Sequence, residues 1–313
     1  MSSLRVLCLA ASALALVGCE EWGMNFGDSQ RFREDFHYSY DLKPGGRLSV
    51  DSMNGSIEIS SWEKNTVDIV GTKYGAEEAA MKAIRIDITN SPDLITVRTV
   101  PPSGHIRGGL GAKYIIRVPR TVELDRIVSS NGSVRVENTE GTVRIRTSNG
   151  AVRISHVKGR LEAESSNGAL DVNDQSGGAI VRTSNGSVNA ENIRGNFEAT
   201  TSNGRITARL MDPEPNRLVK LESSNGSIDL TMDNIKSNDV RCRTSNSSIT
   251  VRLPSSLSAQ MRASTSNSHV ESDFDVTLKG GRISKNNMEG TIGSGGPLVD
   301  LSTSNGSIRI QKL

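Results

Sequence analysis

Apolar and polar residues alternate along this chain in short, regularly spaced runs that all share one phase. From about Leu124 onward a phrase, TSNG or SSNG followed by Ser, Ala or Arg and then a branched apolar residue, recurs at Asn131, Asn149, Asn167, Asn185, Asn203 and Asn225, with variants at Asn246, Asn267 and Asn305. Three and five residues after the Asn the chain is apolar in most units, as at Val134 and Val136, Val152 and Ile154, or Ile228 and Leu230. Six and four residues before the next Asn it is apolar or small again, as at Val143 and Ile145, Leu161 and Ala163, or Val219 and Leu221. A strict period of two in paired runs predicts two short strands per unit, each with one buried face. Gly141, Gly159, Gly177 and Gly195, each ten residues after an Asn, mark the turn between them.

The first four intervals between the Asn residues are 18 residues, the next three 22, 21 and 21, and the last 38, which reads as two units with one degenerate Asn. A fixed period of this size is the mark of a solenoid. Asn-Gly between alternating strands is also a strong hairpin signal. A meander, however, does not need the same residue at the same offset in every unit. Parallel stacking does, because it sets each Asn over the last at about 4.8 Å. Extending the inward alternation places the Thr or Ser before each turn, and the Asn itself, on the inner side, where stacked amides satisfy the turn's polar groups. The Gly after the Asn is expected to supply a positive φ. Asn246 and Asn267 are followed by Ser, so there either the Asn takes the left-handed conformation or the turn is of another type. Inward positions do not recur every six residues, unlike those of the left-handed hexapeptide helix, and parallel crossovers are usually right-handed. The expected fold is therefore all-β: a right-handed parallel β-solenoid, or β-helix, of about ten two-strand rungs with a β-rich N-terminal cap.

Upstream of the repeats the pattern changes. Residues 1–18 carry Arg5 and then the 12-residue apolar run Val6–Val17, too short to span a bilayer and typical of a signal peptide. Leu16-Val17-Gly18-Cys19 matches the bacterial lipobox, and the match implies cleavage before Cys19 and a lipid on its sulfur. Glu20, in place of the Asp that retains many lipoproteins in the inner membrane, implies outer-membrane sorting if the host is Gram-negative. Residues 19–35 read as a tether. Leu48, Val50, Asn54, Gly55, Ile57 and Ile59 then reproduce the repeat once, after which the register is lost at Trp62. Ordinary strands are expected over 65–72, 83–89, 93–99 and 113–118, with a short helix near Ala76–Lys82, so that 36–123 caps the solenoid of 124–313. The Gly-rich loop Pro101–Gly111, with His105 and Arg107, is a hairpin tip or a ligand loop.

Composition narrows the chemistry. A formal charge of +2 and few aromatics give no nucleic-acid signature. Cys8 leaves with the signal, Cys19 is the lipidation site, and Cys242 falls on an inward offset as a buried, unreactive thiol, so no disulfide framework exists. His37, His105, His156 and His269 lack metal-ligand spacing, and neither metal nor cofactor is expected. Outward charges largely alternate in sign from unit to unit. Lys220, Arg241, Arg243 and Arg262 are the exception, a like-charged strip that fits an anionic glycan or lipid headgroup. Glycoside hydrolysis needs carboxyl groups about 5–9.5 Å apart. Glu162 and Glu198, two rungs apart at about 9.6 Å, come closest, whereas Asp171 and Asp229 are three rungs apart, roughly 14 Å.

The lipobox, the stretch GGRLSVDSMNGSIEISSW and the tandem TSNGSI-type units together resemble the bacterial "putative adhesin" family of β-strand-repeat lipoproteins, a domain of unknown function. The resemblance spans about residues 36–313 and implies a cell-envelope β-solenoid, with no catalytic residues to carry over. The expected role is non-catalytic: a lipid-anchored protein on the membrane that contacts a glycan or another envelope or external polymer. Two alternatives stay open, a carbohydrate-active enzyme and an accessory or scaffold protein in envelope-stress signalling. Nothing in the sequence sets the oligomeric state.

Overall fold

The computed structural model describes residues 31–103, 109–278 and 284–313. The signal segment 1–18, Cys19, the tether as far as residue 30, and His105 and Arg107 lie outside the described residues. Strands fill most of what remains, and the helix Glu78–Lys82 is a single turn.

Successive units pair in parallel and in the register that the repeated phrase demands. Val143 lies opposite Leu161, Leu161 opposite Ala179, and Ala179 opposite Phe197. On the second strand of each unit, Val152, Leu170, Val188, Ile206 and Ile228 follow one another in the same way. The strands sort into two long sheets of 13 and 14 strands. Each unit sends its first strand to one sheet and its second to the other, as Leu161–Ser165 and Leu170–Ser176 do. The apolar alternates therefore face each other between the sheets and are fully buried. Parallel sheets usually have both faces covered. Here the outer faces are open and carry cross-strand ion pairs instead, such as Arg146–Glu164 at 2.6 Å and Arg144–Asp125 at 2.9 Å.

The turn between the two strands uses its Gly as expected. Gly141, Gly159, Gly177 and Gly195 have φ between +113° and +137°. Three residues before each of them stands a second left-handed residue, Asn138, His156, Asp174 or Asn192, with φ of 51–58°. These are the side chains that best tolerate that conformation. Because several residue types serve, the position leaves no single-letter repeat to read.

Both ends of the stack depart from sequence order. Near the N-terminus the early unit is not isolated: Leu48 pairs with Leu124, and Ile57 with Val134. Nor does the register end at Trp62. Leu94–Val100 and Leu110–Pro119 add another parallel pair on the far side, with Ile95 opposite Leu48 and Tyr114 opposite Ile57. The Tyr114 hydroxyl lies 2.5 Å from Thr99 Oγ1 in the core, and burial pushes its pKa up to about 12. Antiparallel strands Phe32–Asp41, Thr66–Gly75 and Arg85–Ser91 finish this end. The first of them takes up the last residues of the expected tether.

At the C-terminus the 38-residue interval is not two successive rungs. Leu298–Thr303 pairs with both Val240–Arg243 and Ala259–Thr265, and Ile308–Lys312 pairs with both Ile249–Leu253 and Val270–Ser272. The last phrase in the sequence is thus inserted between two earlier ones, and part of the interval forms an antiparallel excursion through Asn287–Ile292. Burial explains the order. Val299, Leu301, Ile308 and Ile310 fill every inward position of the last unit, while Val270–Ser272 is short and its Val270 only half-buried. The complete unit gains most from a place covered on both sides, and the incomplete one serves as the end.

Candidate functional site

Where the phrase repeats, the stack presents one continuous edge. The Asn side chains form an unbroken ladder: Asn131 Nδ2 donates to Asn54 Oδ1, Asn149 to Asn131, and so on through Asn167, Asn185, Asn203, Asn225 and Asn246, each link at 2.6–2.7 Å. It ends with Asn305 on Asn246 and Asn267 on Asn305, both 2.7 Å, in the permuted order of the strands. At the other end Asn54 Nδ2 donates to the Leu110 carbonyl at 2.8 Å.

Two expectations about this ladder are corrected. From Asn131 onward the Asn side chains face solvent, and only the Thr or Ser two residues earlier points inward. That hydroxyl does the buried work. Thr183 Oγ1 accepts the Gly186 N–H at 3.2 Å and donates to the Gly168 carbonyl one rung away at 3.1 Å. The Gly of the phrase is also not there for its φ, since Gly55 alone among these Gly residues has a positive value. A Cβ at Gly186 would sit 1.9 Å from the Gly168 carbonyl oxygen, so the backbones approach too closely for any side chain. Asn246 and Asn267 are not left-handed either. With Ser in the Gly position, the bond from the next N–H to the inward hydroxyl is missing, and Thr244 Oγ1 keeps its links to the carbonyls of Gly226, at 2.9 Å, and Ser224, at 3.4 Å.

These placements order two substitutions. Thr183→Val removes a buried hydroxyl that serves two backbone groups and should cost about 1–3 kcal/mol. Asn185→Ala cuts two solvent-facing links and should cost roughly 0.5–1.5 kcal/mol. Urea unfolding of the two variants checks the ranking.

The cationic strip is not a field of free charge. Asp300 lies between Arg241 and Arg262 and is only 9% exposed. Its carboxylate holds Arg241 at 3.5 Å and Arg243 at 3.1 Å. Lys220 pairs with Glu222 at 2.9 Å and Arg262 with Glu289 at 3.3 Å. The inserted C-terminal strand thus supplies the counter-charge that linear order does not show. Asp300→Asn should restore a like-charged cluster, costing about 1–3 kcal/mol. The variant should also gain salt-sensitive binding to a sulfated polysaccharide, measured by affinity retention.

The remaining candidates are dispersed. Glu162 and Glu198 lie in one column with Ile180 between them, and Asp171 and Asp229 are three rungs apart. Arg160 holds Glu162 at 2.8 Å and Arg144 lies 3.5 Å from it. Glu198 lines a separate shallow groove with Asn196, Glu214 and Arg217. His37, His156 and His269 each face a single carboxylate, of Asp68, Asp174 and Glu271 respectively. Among the described residues no His, Cys, Asp and Glu side chains gather as a metal site, and no helix is long and apolar enough to cross a membrane. Cys242 is fully buried, and burial, with the Asp300 charge adding to it, holds its thiol well above the usual range.

The Ser before each Asn is the feature that sequence reasoning missed. Ser130, Ser148, Ser166, Ser184, Ser202 and Ser224 are exposed, and their hydroxyls have no partner among the described residues. Beside them each ladder amide keeps a second N–H and a second acceptor lone pair. The signal was present in the invariant S of the phrase, but only the outward turn of the Asn makes it a surface.

A family profile described as Toastrack DUF4097 matches residues 45–311. No curated protein matches the chain. Among solved structures, a "putative adhesin" from Bacteroides fragilis is 12% identical, with 90% of this chain and 97% of that one covered and a TM-score of 0.46. A "putative lipid binding protein" from Parabacteroides distasonis is 12% identical, covering 91% and 98%, with a TM-score of 0.38. A "putative cell adhesion protein" from Clostridium sporogenes is 12% identical, covering 90% and 100%, with a TM-score of 0.22.

Proposed function

The chain belongs to the Toastrack DUF4097 family, and from that premise we propose that it is a non-catalytic, lipid-anchored cell-envelope protein that lays its Ser/Asn edge along an uncharged, hydroxyl-rich polymer. In this reading residues 1–18 are a signal peptide and Cys19 carries the lipid, in the outer membrane if the host is Gram-negative. Beyond the anchor stands a right-handed coil of about ten two-strand turns, with the antiparallel strands near the N-terminus as its cap.

The observation that supports the reading is a contrast between surfaces. Both sheet faces carry charges that are largely paired within the chain, Arg153–Asp171 and Arg182–Glu164 among them. The edge carries Ser and Asn, rung after rung, with no carboxylate or cation in either column. Each rung offers a hydroxyl, a donor and an acceptor at the sheet spacing of about 4.8 Å. Single contacts of this kind are weak, but a polymer lying along the axis makes many at once, so affinity should rise with its length. Uncharged contacts should also leave binding insensitive to salt.

The test is binding of the full chain to neutral polysaccharides graded by length, with Ser148→Glu/Ser184→Glu as the altered edge. Expected are length-dependent, salt-insensitive binding and its loss in the double variant. Binding that falls steeply with salt and spares the variant would move the contact to the charged faces. Cleavage of the polymer, abolished in Glu162→Gln/Glu198→Gln, would replace the reading with an enzyme. Release of a Cys19→Ala variant from the membrane fraction tests the anchor separately.

A further inference from the structure

Eight Asn-Gly pairs lie on the edge, and seven of them share one protection. The Gly N–H of each donates to the inward Ser or Thr Oγ three residues back, at 2.8–3.3 Å. Asn54-Gly55 lacks it. Ser52 is buried in the equivalent place, but its hydroxyl turns to the Asn54 carbonyl at 3.5 Å, and the Gly55 N–H has no partner among the described residues. The cause is the neighbouring strand. Gly111 and Ala112 run past this turn without a TSNG phrase of their own, Ala112 N–H takes the Asn54 carbonyl at 3.0 Å, and Gly55 adopts φ +112° beside the Ala112 carbonyl. Gly55 is half-buried, whereas most of the other seven Gly residues are buried.

We propose that Asn54 is a site of spontaneous covalent modification, converting to aspartate and isoaspartate while the other seven Asn-Gly pairs are held back. Hydroxide takes the Gly55 amide proton and becomes water, and the nitrogen attacks Asn54 Cγ. The N–Cγ bond forms as Cγ–Nδ2 breaks, the departing nitrogen taking a proton from water to leave as ammonia and regenerate hydroxide. Water then opens the cyclic imide at either carbonyl, to aspartate or to isoaspartate. A glycine nitrogen suits the attack because no side chain hinders it. In the other pairs the same N–H is committed to a hydroxyl, so its proton is harder to remove and its nitrogen is fixed in the turn. Either product lacks the Nδ2 donor that Asn54 directs at the Leu110 carbonyl, 2.8 Å away in the unmodified chain. In the aspartate product Oδ1 can still accept from Asn131, whereas in isoaspartate Cγ has entered the main chain; in both, the Leu110–Pro119 strand loses its side-chain tie to the column.

The experiment is peptide mapping of the full chain, with isoaspartate-specific methylation, during incubation in mildly alkaline buffer. Residue 54 should convert about tenfold faster than residue 149 or 167, the factor that one net hydrogen bond is worth. In urea the pairs should convert alike. Equal rates in the folded chain, or a slower residue 54, would overturn the proposal. Thr147→Val removes the clamp on Gly150, and residue 149 should then approach the rate of residue 54. An unchanged rate at 149 in a natively folded variant would also overturn it, and if that variant does not fold, the comparison within the wild-type chain decides.

Discussion

Gly186→Ala should be among the most damaging single substitutions in this protein, at a cost of at least about 3 kcal/mol, the upper end of the range for overpacking. The added methyl would lie 1.9 Å from the Gly168 carbonyl oxygen and 2.5 Å from its carbon. Both are backbone atoms of the next rung, so no rotamer change relieves the contact. The rungs must separate, and separation stretches the Thr183–Gly168 and Asn185–Asn167 bonds together. Gly178 provides the control. A Cβ there meets nothing within 4 Å, and its φ is not positive. Gly178→Ala should therefore stay within about 0.5 kcal/mol of wild type. Urea midpoints of the two variants measure the difference, and similar values would mean that close backbone approach is not what fixes Gly in the phrase.

That contrast also shows what the sequence could reveal. The period of two located the strands, and the constant offset of the Asn located the register, because both are imposed on every unit by stacking. The direction of the Asn did not follow. The Thr or Ser at its minus-two position continues the inward alternation, but the strand ends there, as at Thr183, the chain bends over 184–186, and alternation holds only within a strand. The chemistry of the edge was hidden for the same reason, since Ser148 and Ser166 read as turn filler until the Asn is placed outside. The strip from Lys220 to Arg262 failed for a different reason. Its charges were assigned to neighbouring rungs by chain order, and Asp300, nearly forty residues beyond Arg262, lies between them. Local pattern specifies what a rung is. It does not say which rung comes next in space when two candidates carry the same phrase.

Removal of residues 298–313 turns that ambiguity into a measurement. The segment buries Val299, Leu301, Ile308 and Ile310 completely. At about 1.5–3 kcal/mol for each such side chain, the loss is roughly 6–12 kcal/mol before any rearrangement. Part of it is recoverable. Met261 and Ala263 occupy the offsets of Val299 and Leu301, and Asn267 carries the same phrase as Asn305. The Ala259–Thr265 strand can thus dock directly on Val240–Arg243, in the order the sequence suggests. The truncated chain should keep the oligomeric state of the full chain, with amide exchange still slow at Ile249–Leu253 but a much lower urea midpoint. Arg262 would then lie beside Arg241 without Asp300 between them, and salt-sensitive binding to a sulfated polysaccharide should appear. Fast exchange at Ile249–Leu253, with association of the exposed edges, would instead show that the last rung is required to order the ones that flank it. In that case the inserted segment has no substitute within the chain, and the permuted order belongs to the only stable stack rather than to the better of two.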